Sequence, residues 1–76
     1  MGAVSGSASS EIVFAVEQAP EGGYTAHALG EAIFTEADDW DALREMVREA
    51  VRCHFDDDER PRVVRLHLVT DELLAV

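Results

Sequence analysis

The sequence predicts a small α+β domain with the element order β-β-β-α-β. Three observations carry this prediction: a glycine-containing turn follows the first strand-like segment, one helical periodicity occupies the middle of the chain, and one clear apolar–polar alternation follows it. At 76 residues the chain has room for a single domain. One amphipathic helix can cover one face of a small sheet, so the other face is left without a covering helix.

Three short strands are predicted in the first half of the chain, at residues 11–17, 24–29 and 32–36. The first of them is rich in β-branched and aromatic residues, and the period of two in a strand places Ile12, Phe14 and Val16 on one face. Pro20 and the pair Gly22-Gly23 then predict a tight reversal, because proline fixes φ and glycine adopts positive φ at little cost. The first two strands therefore form a hairpin.

The ten residues before the first strand are rich in glycine, alanine and serine. They contain neither a positive segment nor a continuous apolar one, so no secretory signal is predicted. We expect a flexible lead-in over residues 1–10 and a folded domain over residues 11–76. Cys53 is the only cysteine, which rules out a disulfide within this sequence. Because small secreted domains generally need disulfides, a cytoplasmic location is expected.

A single amphipathic helix is predicted from Trp40 to about Phe55. Its apolar positions recur at steps of three and four, and Asp39 is placed to cap the free N–H groups of the first turn. The helix is expected to end before the acidic run 56–59, because negative charge opposes the dipole at a helix C-terminus. The clearest strand pattern follows at residues 62–69. A right-handed crossover through the helix is expected to place this strand parallel to the third strand or to another strand of the same sheet.

The net charge of the chain is strongly negative. Sixteen acidic residues against six arginines and no lysine give −10. This charge disfavours sequence-independent binding to nucleic-acid phosphates and fits a basic partner. The longest apolar run, Ile12 to Val16, is too short to span a membrane. We therefore expect no direct nucleic-acid binding and no membrane partner.

Cys53, His54 and the carboxylates that follow them are the side chains closest to a metal-ligand set. Neighbouring residues on a helix point about 100° apart, and no second Cys/His pair completes a tetrahedral zinc site. We expect Cys53 to be partly buried and His54 to be favoured by the helix dipole. The sequence has no nucleophile elbow and no glycine-rich phosphate loop opening a helix. No catalytic, cofactor-binding or metal-binding residue is assigned, and no enzyme activity is expected.

The segment Glu21-Gly22-Gly23-Tyr24-Thr25-Ala26 resembles the turn and second strand of the HicB-like antitoxin domain. Residues 34–40 stand where that family has a threonine-containing third strand and an acidic helix start, and residues 43–51 stand where it has an alanine-bearing amphipathic helix. The resemblance covers residues 11 to about 69. It implies a β-β-β-α-β domain similar to a truncated RNase H fold.

Two features depart from that family. Residues 28–32 lack the proline and the Gly-Cys pair that members usually carry between the second and third strands. The sequence also contains no helix-turn-helix or ribbon-helix-helix module of the kind that binds operator DNA. It therefore resembles the short, stand-alone members of the HicB-like family.

The resemblance implies a non-enzymatic interaction module, an antitoxin that binds and neutralises a small basic HicA-type RNA-cleaving toxin. The candidate partner surface is the acidic run Asp56, Asp57, Asp58 and Glu59, which would imitate nucleic-acid phosphate on a basic toxin. A solvated loop is the simpler interpretation of the same run.

Self-association is a second expectation. Four apolar residues are predicted on the sheet face that the helix does not cover: Val13, Ala15, Val63 and Val69. Apolar patches of this kind mark interfaces, so a homo-oligomer, a dimer or larger, is expected. Two alternatives stay open: a self-assembling domain with another role, and a small metal-dependent hydrolase with a remnant RNase H-like carboxylate site.

Overall fold

The computed structural model describes residues 11–76, which form one four-stranded sheet and one helix. The strands are β1 (Glu11–Gln18), β2 (Tyr24–Ala28), β3 (Phe34–Ala37) and β4 (Val63–Val69), and the helix, α1, is Trp40–His54. The predicted α+β class and the β-β-β-α-β order are confirmed. The lead-in predicted at residues 1–10 lies outside the described residues.

The strand order in the sheet is β3-β2-β1-β4. β1 and β2 form the predicted antiparallel hairpin, and β2 and β3 are also antiparallel. β4 is parallel to β1, with Glu11 opposite Val63 and Glu17 opposite Val69. This direction is the one expected for a strand that follows a helical crossover. Within residues 11–76, β3 and β4 are the two edges of the sheet.

The hydrophobic core lies between α1 and one face of the sheet. Its fully buried members include Phe14 and Val16 of β1 and Leu43 of α1, each with 0% exposure. The remaining core residues are Ile12, Ala26, Ala28, Ile33, Val47 and Val51. The sequence pattern predicted the inner faces of β1 and α1 correctly, because the periods of two and of 3.6 each select one face.

Both ends of α1 follow the sequence prediction. Asp39 is the N-cap, and its Oδ1 accepts a hydrogen bond of 2.7 Å from the backbone N–H of Ala42. Phe55 is the C-cap, and its N–H donates to the carbonyl of Val51 at 3.1 Å. The helix therefore ends immediately before the acidic run, as the charge argument predicted.

The turn between β1 and β2 depends on two glycines with positive φ, Gly22 at 107° and Gly23 at 88°. Gly23 also lies against the end of β3, where a Cβ would come within 2.9 Å of the carbonyl oxygen of Ala37. Beside this contact, the rings of Tyr24 and Trp40 pack edge to face with centroids 5.3 Å apart. The hairpin turn, the end of β3 and the start of α1 therefore meet at one end of the molecule.

Three details differ from the sequence prediction. β3 begins at Phe34, and the strand alternation places Thr35 in the core while Phe34 is 64% exposed. Met46 is 47% exposed although it falls on the apolar stripe of α1. Cys53 was predicted to be partly buried, but it is exposed. It lies two residues after the buried Val51, and two helical steps of about 100° turn its side chain away from the sheet.

Candidate interaction surfaces

The acidic run Asp56–Glu59 forms an exposed turn between α1 and β4. The carbonyl of Asp56 accepts a hydrogen bond of 3.0 Å from the N–H of Glu59. The Asp57 carboxylate accepts one of 2.8 Å from Arg60. The carboxylates of Asp56, Asp58 and Glu59 form no ion pair within residues 11–76. Three of the four negative charges in this turn are therefore available to a partner.

A second acidic surface lies at the other end of α1, and we call it the acidic groove. It runs between the hairpin turn, the end of β3 and the first turns of α1. Four carboxylate side chains line it: Glu21, Glu36, Asp38 and Asp39. Tyr24 and Met46 add apolar surface, and no arginine or histidine belongs to the lining. Three of these acids lie within residues 36–39, where the sequence predicts the end of a strand and the start of a helix, and only Glu21 comes from a distant segment.

The arginines of the molecule lie outside the acidic groove. All six arginines lie between Arg44 and Arg65, on α1, on the following loop and on β4. On α1 each arginine pairs with an acid three residues earlier, at 3.6, 2.6 and 3.5 Å: Asp41–Arg44, Glu45–Arg48 and Glu49–Arg52. These exposed pairs contribute little stability. Their effect is to neutralise the side of α1 on which they lie, so uncompensated negative charge remains at the acidic groove.

The sheet face away from α1, which we call the open face, carries the four residues predicted for self-association. Val13 and Ala15 are half-buried there, and Val63 and Val69 are 54% and 42% exposed. An ion pair between Arg65 and Glu11 crosses this face from β4 to β1. The strand register also places a row of four side chains across it: Phe34, His27, Ala15 and His67. The open face is therefore a mixture of apolar and polar groups.

β4 is apolar on its inner face as well. Val64, Leu66 and Leu68 lie opposite the buried residues of β1 and share their side of the sheet. Helix α1 lies closest to β2 and β3, however, so its cover over β4 is incomplete. Val64 and Leu66 remain half-buried and Leu68 is 43% exposed. An apolar strip therefore continues along β4 beyond the edge of the helix.

A basic groove separates this strip from α1. Four arginines line its wider part, where Val51 and Val64 contribute apolar surface: Arg48, Arg52, Arg60 and Arg62. A smaller depression between Arg44, Val47 and Leu66 continues it along the helix. The Nε atom of Arg60 is buried without a hydrogen-bond partner. Arg62 forms no ion pair within the described part of the chain.

Sequence comparison identifies two relatives of this chain. The chain is 50% identical over 52 residues to a UPF0150 protein of Archaeoglobus fulgidus, covering 68% of this chain and 77% of that protein. It is 41% identical over 66 residues to a UPF0150 protein of Thermotoga maritima, covering 87% of this chain and 93% of that protein. The chain belongs to the UPF0150 family. For this UPF0150 protein, no protein-family model and no solved structure gives a match.

The residues first considered as metal ligands do not form a cluster in this UPF0150 protein. Cys53 is exposed, whereas His54 turns toward Glu31, with 3.0 Å between Nε2 and Oε1. Across residues 11–76, no group of three or more His, Cys, Asp or Glu side chains is placed to hold a metal ion. In the same part of the chain, no helix combines the length and the apolar character needed to cross a membrane.

Proposed function

We propose that this UPF0150 protein is a non-enzymatic, HicB-like interaction module that binds a small basic protein through the acidic groove. The specific partner in this proposal is a HicA-type RNA-cleaving toxin, which the domain would neutralise in the cytoplasm. The observation that carries the proposal is the groove itself, because four carboxylates converge there without a cation in the lining. The likeness to a truncated RNase H fold belongs to the same proposal and rests on the hairpin resemblance.

The electrostatics of the groove favour a cationic partner. Carboxylates that line a concave surface reinforce one another's potential, and this field attracts and orients a basic protein before contact. The net charge of −10 acts in the same direction. Tyr24 and Met46 add apolar contact area to the same groove, and aromatic and methionine side chains are common in protein interfaces. Binding of this kind weakens as salt rises.

A self-assembling domain with another role is the second candidate, and the open face favours it. Val13, Ala15, Val63 and Val69 lie on that face together with the exposed ring of Phe34. Covering them in a homo-oligomer would remove apolar surface from water. This candidate predicts that the purified protein associates with itself and captures no basic protein.

The acidic groove and the acidic turn can be separated by two variants with the same change in charge. Glu36→Gln/Asp38→Asn neutralises two acids of the groove, whereas Asp58→Asn/Glu59→Gln neutralises two acids of the turn. Neither variant removes the N-cap Asp39 or the Asp57 side chain that pairs with Arg60. Immobilised protein is exposed to a lysate of the source organism, and bound proteins are eluted with rising salt and identified by mass spectrometry.

We expect the unmodified chain and the turn variant to retain a small basic protein that the groove variant fails to retain. The purified partner should cleave RNA, and addition of the chain should stop the cleavage. Loss of capture with the turn variant alone would assign binding to Asp56–Glu59 instead. Recovery of no small basic protein at low salt would refute the antitoxin proposal.

A further inference from the structure

The outer edge of β4 and the basic groove beside it are features that the proposed function does not use. β4 is a seven-residue strand at an edge of the sheet within residues 11–76, and Arg65 and His67 are its only polar residues. An edge of this length presents a row of unpaired backbone N–H and C=O groups, which can pair with an added strand. Residues 70–76 belong to no strand, so they do not pair with this edge.

A row of arginines on α1 follows the same edge. Arg44 lines the basic groove beside Leu66, and Arg48 and Arg52 line it further along, beside Val63. Successive arginines are four residues apart, so the helical rise separates them by about 6 Å. Side chains on one face of an extended strand recur about every 6.6 Å. The arginine row therefore nearly matches the side-chain spacing of a strand added beside β4.

The lining of the basic groove is suited to an acidic segment. Among the described residues, both parts of the groove are lined by arginines and apolar side chains, without a carboxylate. Val64 and Leu66 are half-buried and form its apolar floor. Arg62, near the start of β4, forms no ion pair within residues 11–76. Such a surface attracts negative charge and offers contact area to the aliphatic part of a side chain.

We propose that the edge of β4 binds an extended acidic peptide of another protein, in which carboxylate side chains recur at every second position. The peptide adds a fifth strand through backbone hydrogen bonds to β4. Alternation then places all of its carboxylates on the α1 side, where the arginine row lies. Glutamate suits these positions, because its two methylene groups can lie against Val64 and Leu66 while its carboxylate reaches an arginine.

The arginines of α1 can exchange their present partners at little cost. Arg48 pairs with Glu45 at 2.6 Å and Arg52 pairs with Glu49 at 3.5 Å, and all four side chains are more than half exposed. Exposed pairs of this kind contribute little to stability, so the transfer of an arginine to a peptide carboxylate loses little. The backbone hydrogen bonds and the buried apolar surface of the added strand therefore favour the exchange.

The other edge of the sheet is unsuited to the same peptide. β3 has only four residues, and Glu36 and Asp38 of the acidic groove lie on it and just beyond its end. Their carboxylates repel an acidic strand, whereas the arginines beside β4 attract one. The charge distribution of the molecule therefore directs an acidic strand to β4.

The ends of this chain do not supply such a strand. Residues 1–10 contain no acidic residue, and the last seven residues contain only the pair Asp71 and Glu72. Because these two acids are adjacent in sequence, they would point to opposite faces of a strand. The alternating pattern that fits the arginine row must therefore come from another protein.

A synthetic peptide tests the proposal. The probe is a capped, fluorophore-labelled peptide in which three glutamates alternate with four threonines, and fluorescence anisotropy gives its dissociation constant. At about 0.1 M salt, charges more than about 10 Å from the groove are largely screened. The alternating peptide should bind roughly fivefold more tightly than a peptide of the same composition with its glutamates in sequence, because only alternation places all three on the arginine side. A peptide with lysine in place of glutamate should not bind.

Substitution of the arginines should weaken binding of the alternating peptide. Arg48→Gln/Arg52→Gln removes two of its expected charge partners and should raise the dissociation constant roughly tenfold. Circular dichroism checks that this variant is folded. If it is not, Arg62→Gln replaces it and should raise the dissociation constant roughly threefold. Unchanged affinity in a folded variant would contradict the assignment of the peptide to the basic groove.

Removal of the competing acids on α1 should have the opposite effect. Glu45→Gln/Glu49→Gln frees the same arginines and should lower the dissociation constant roughly two- to threefold. Glu36→Gln/Asp38→Asn makes the same change in net charge at the acidic groove and should leave the dissociation constant within about twofold. That variant also separates the two proposals, because it removes capture of the basic protein and leaves binding of the acidic peptide intact.

Amide hydrogen exchange shows whether the peptide adds to the sheet. Saturating peptide should slow exchange of the outward-pointing amides of β4 and leave those of β3 unchanged. Equal affinity for the alternating and consecutive peptides, or binding without protection of β4, would overturn the proposal. So would outward-pointing β4 amides that are protected without peptide. Protection that rises with protein concentration would assign the edge to a second copy, and protection at every concentration would assign it to another part of the same chain.

Discussion

The hairpin turn offers a sharp test of the fold, because its two glycines have similar φ values but different surroundings. A Cβ at Gly22 would meet nothing within 4 Å, whereas a Cβ at Gly23 would lie 2.9 Å from the carbonyl oxygen of Ala37. Gly22→Ala therefore adds backbone strain alone, about 1–2 kcal/mol. Gly23→Ala adds a similar strain and forces the end of β3 away, for a total of about 2–4 kcal/mol.

Urea unfolding followed by far-UV circular dichroism measures the two free energies of unfolding under the same conditions. The difference between the variants matters most, because the strain common to both cancels. A small domain has a total stability on the order of 5 kcal/mol, so Gly23→Ala should leave a marginally folded protein. Equal losses for the two variants would refute the close approach between the turn and β3, even if both losses were large.

Two further predictions concern α1, and each has a matched control. Leu43→Ala should destabilise the fold by about 2–4 kcal/mol, because it opens a cavity at a residue with no exposure, whereas Met46→Ala, 47% exposed, should cost less than about 1 kcal/mol. The melting temperatures of the two variants should differ by more than about 5 °C, because 1 kcal/mol corresponds to roughly 4–8 °C in a domain of this size. Asp39→Ala should cost about 1 kcal/mol by removing the cap on Ala42, with Asp38→Ala nearly neutral in the same assay.

Local patterns were sufficient to predict most elements of the fold. The apolar period of α1, the acid at its start and the glycines of the hairpin each constrain a few neighbouring residues. The strand order was not predictable in the same way, because nothing local distinguishes β1 from β3 as the parallel neighbour of β4. In the structure β4 pairs with β1, and Ile12 and Phe14 lie opposite Val64 and Leu66. This pairing joins segments that are far apart in the sequence.

The candidate sites also could be predicted only where their residues are close together in the sequence. The run Asp56–Glu59 is contiguous and therefore visible in the sequence, and Glu36 and Asp38 are also close in sequence, whereas Glu21 joins them only when the hairpin turn meets the start of α1. The exposure of Phe34 could have been anticipated. Once Ala26 is placed in the core, its register partner Thr35 must share that face, and Phe34 must point to the other.

The incomplete cover of the sheet separates the acidic groove from the exposed apolar residues of the molecule. The one helix lies closest to β2 and β3, so the β4 edge is left open on the side of the sheet opposite the acidic groove. Self-association through the open face would therefore leave the acidic groove of each copy accessible to a basic partner. Light scattering of the saturated complex should then give equal numbers of chains and partners in an assembly larger than one of each. A complex of one chain with one partner would mean that partner binding and self-association compete.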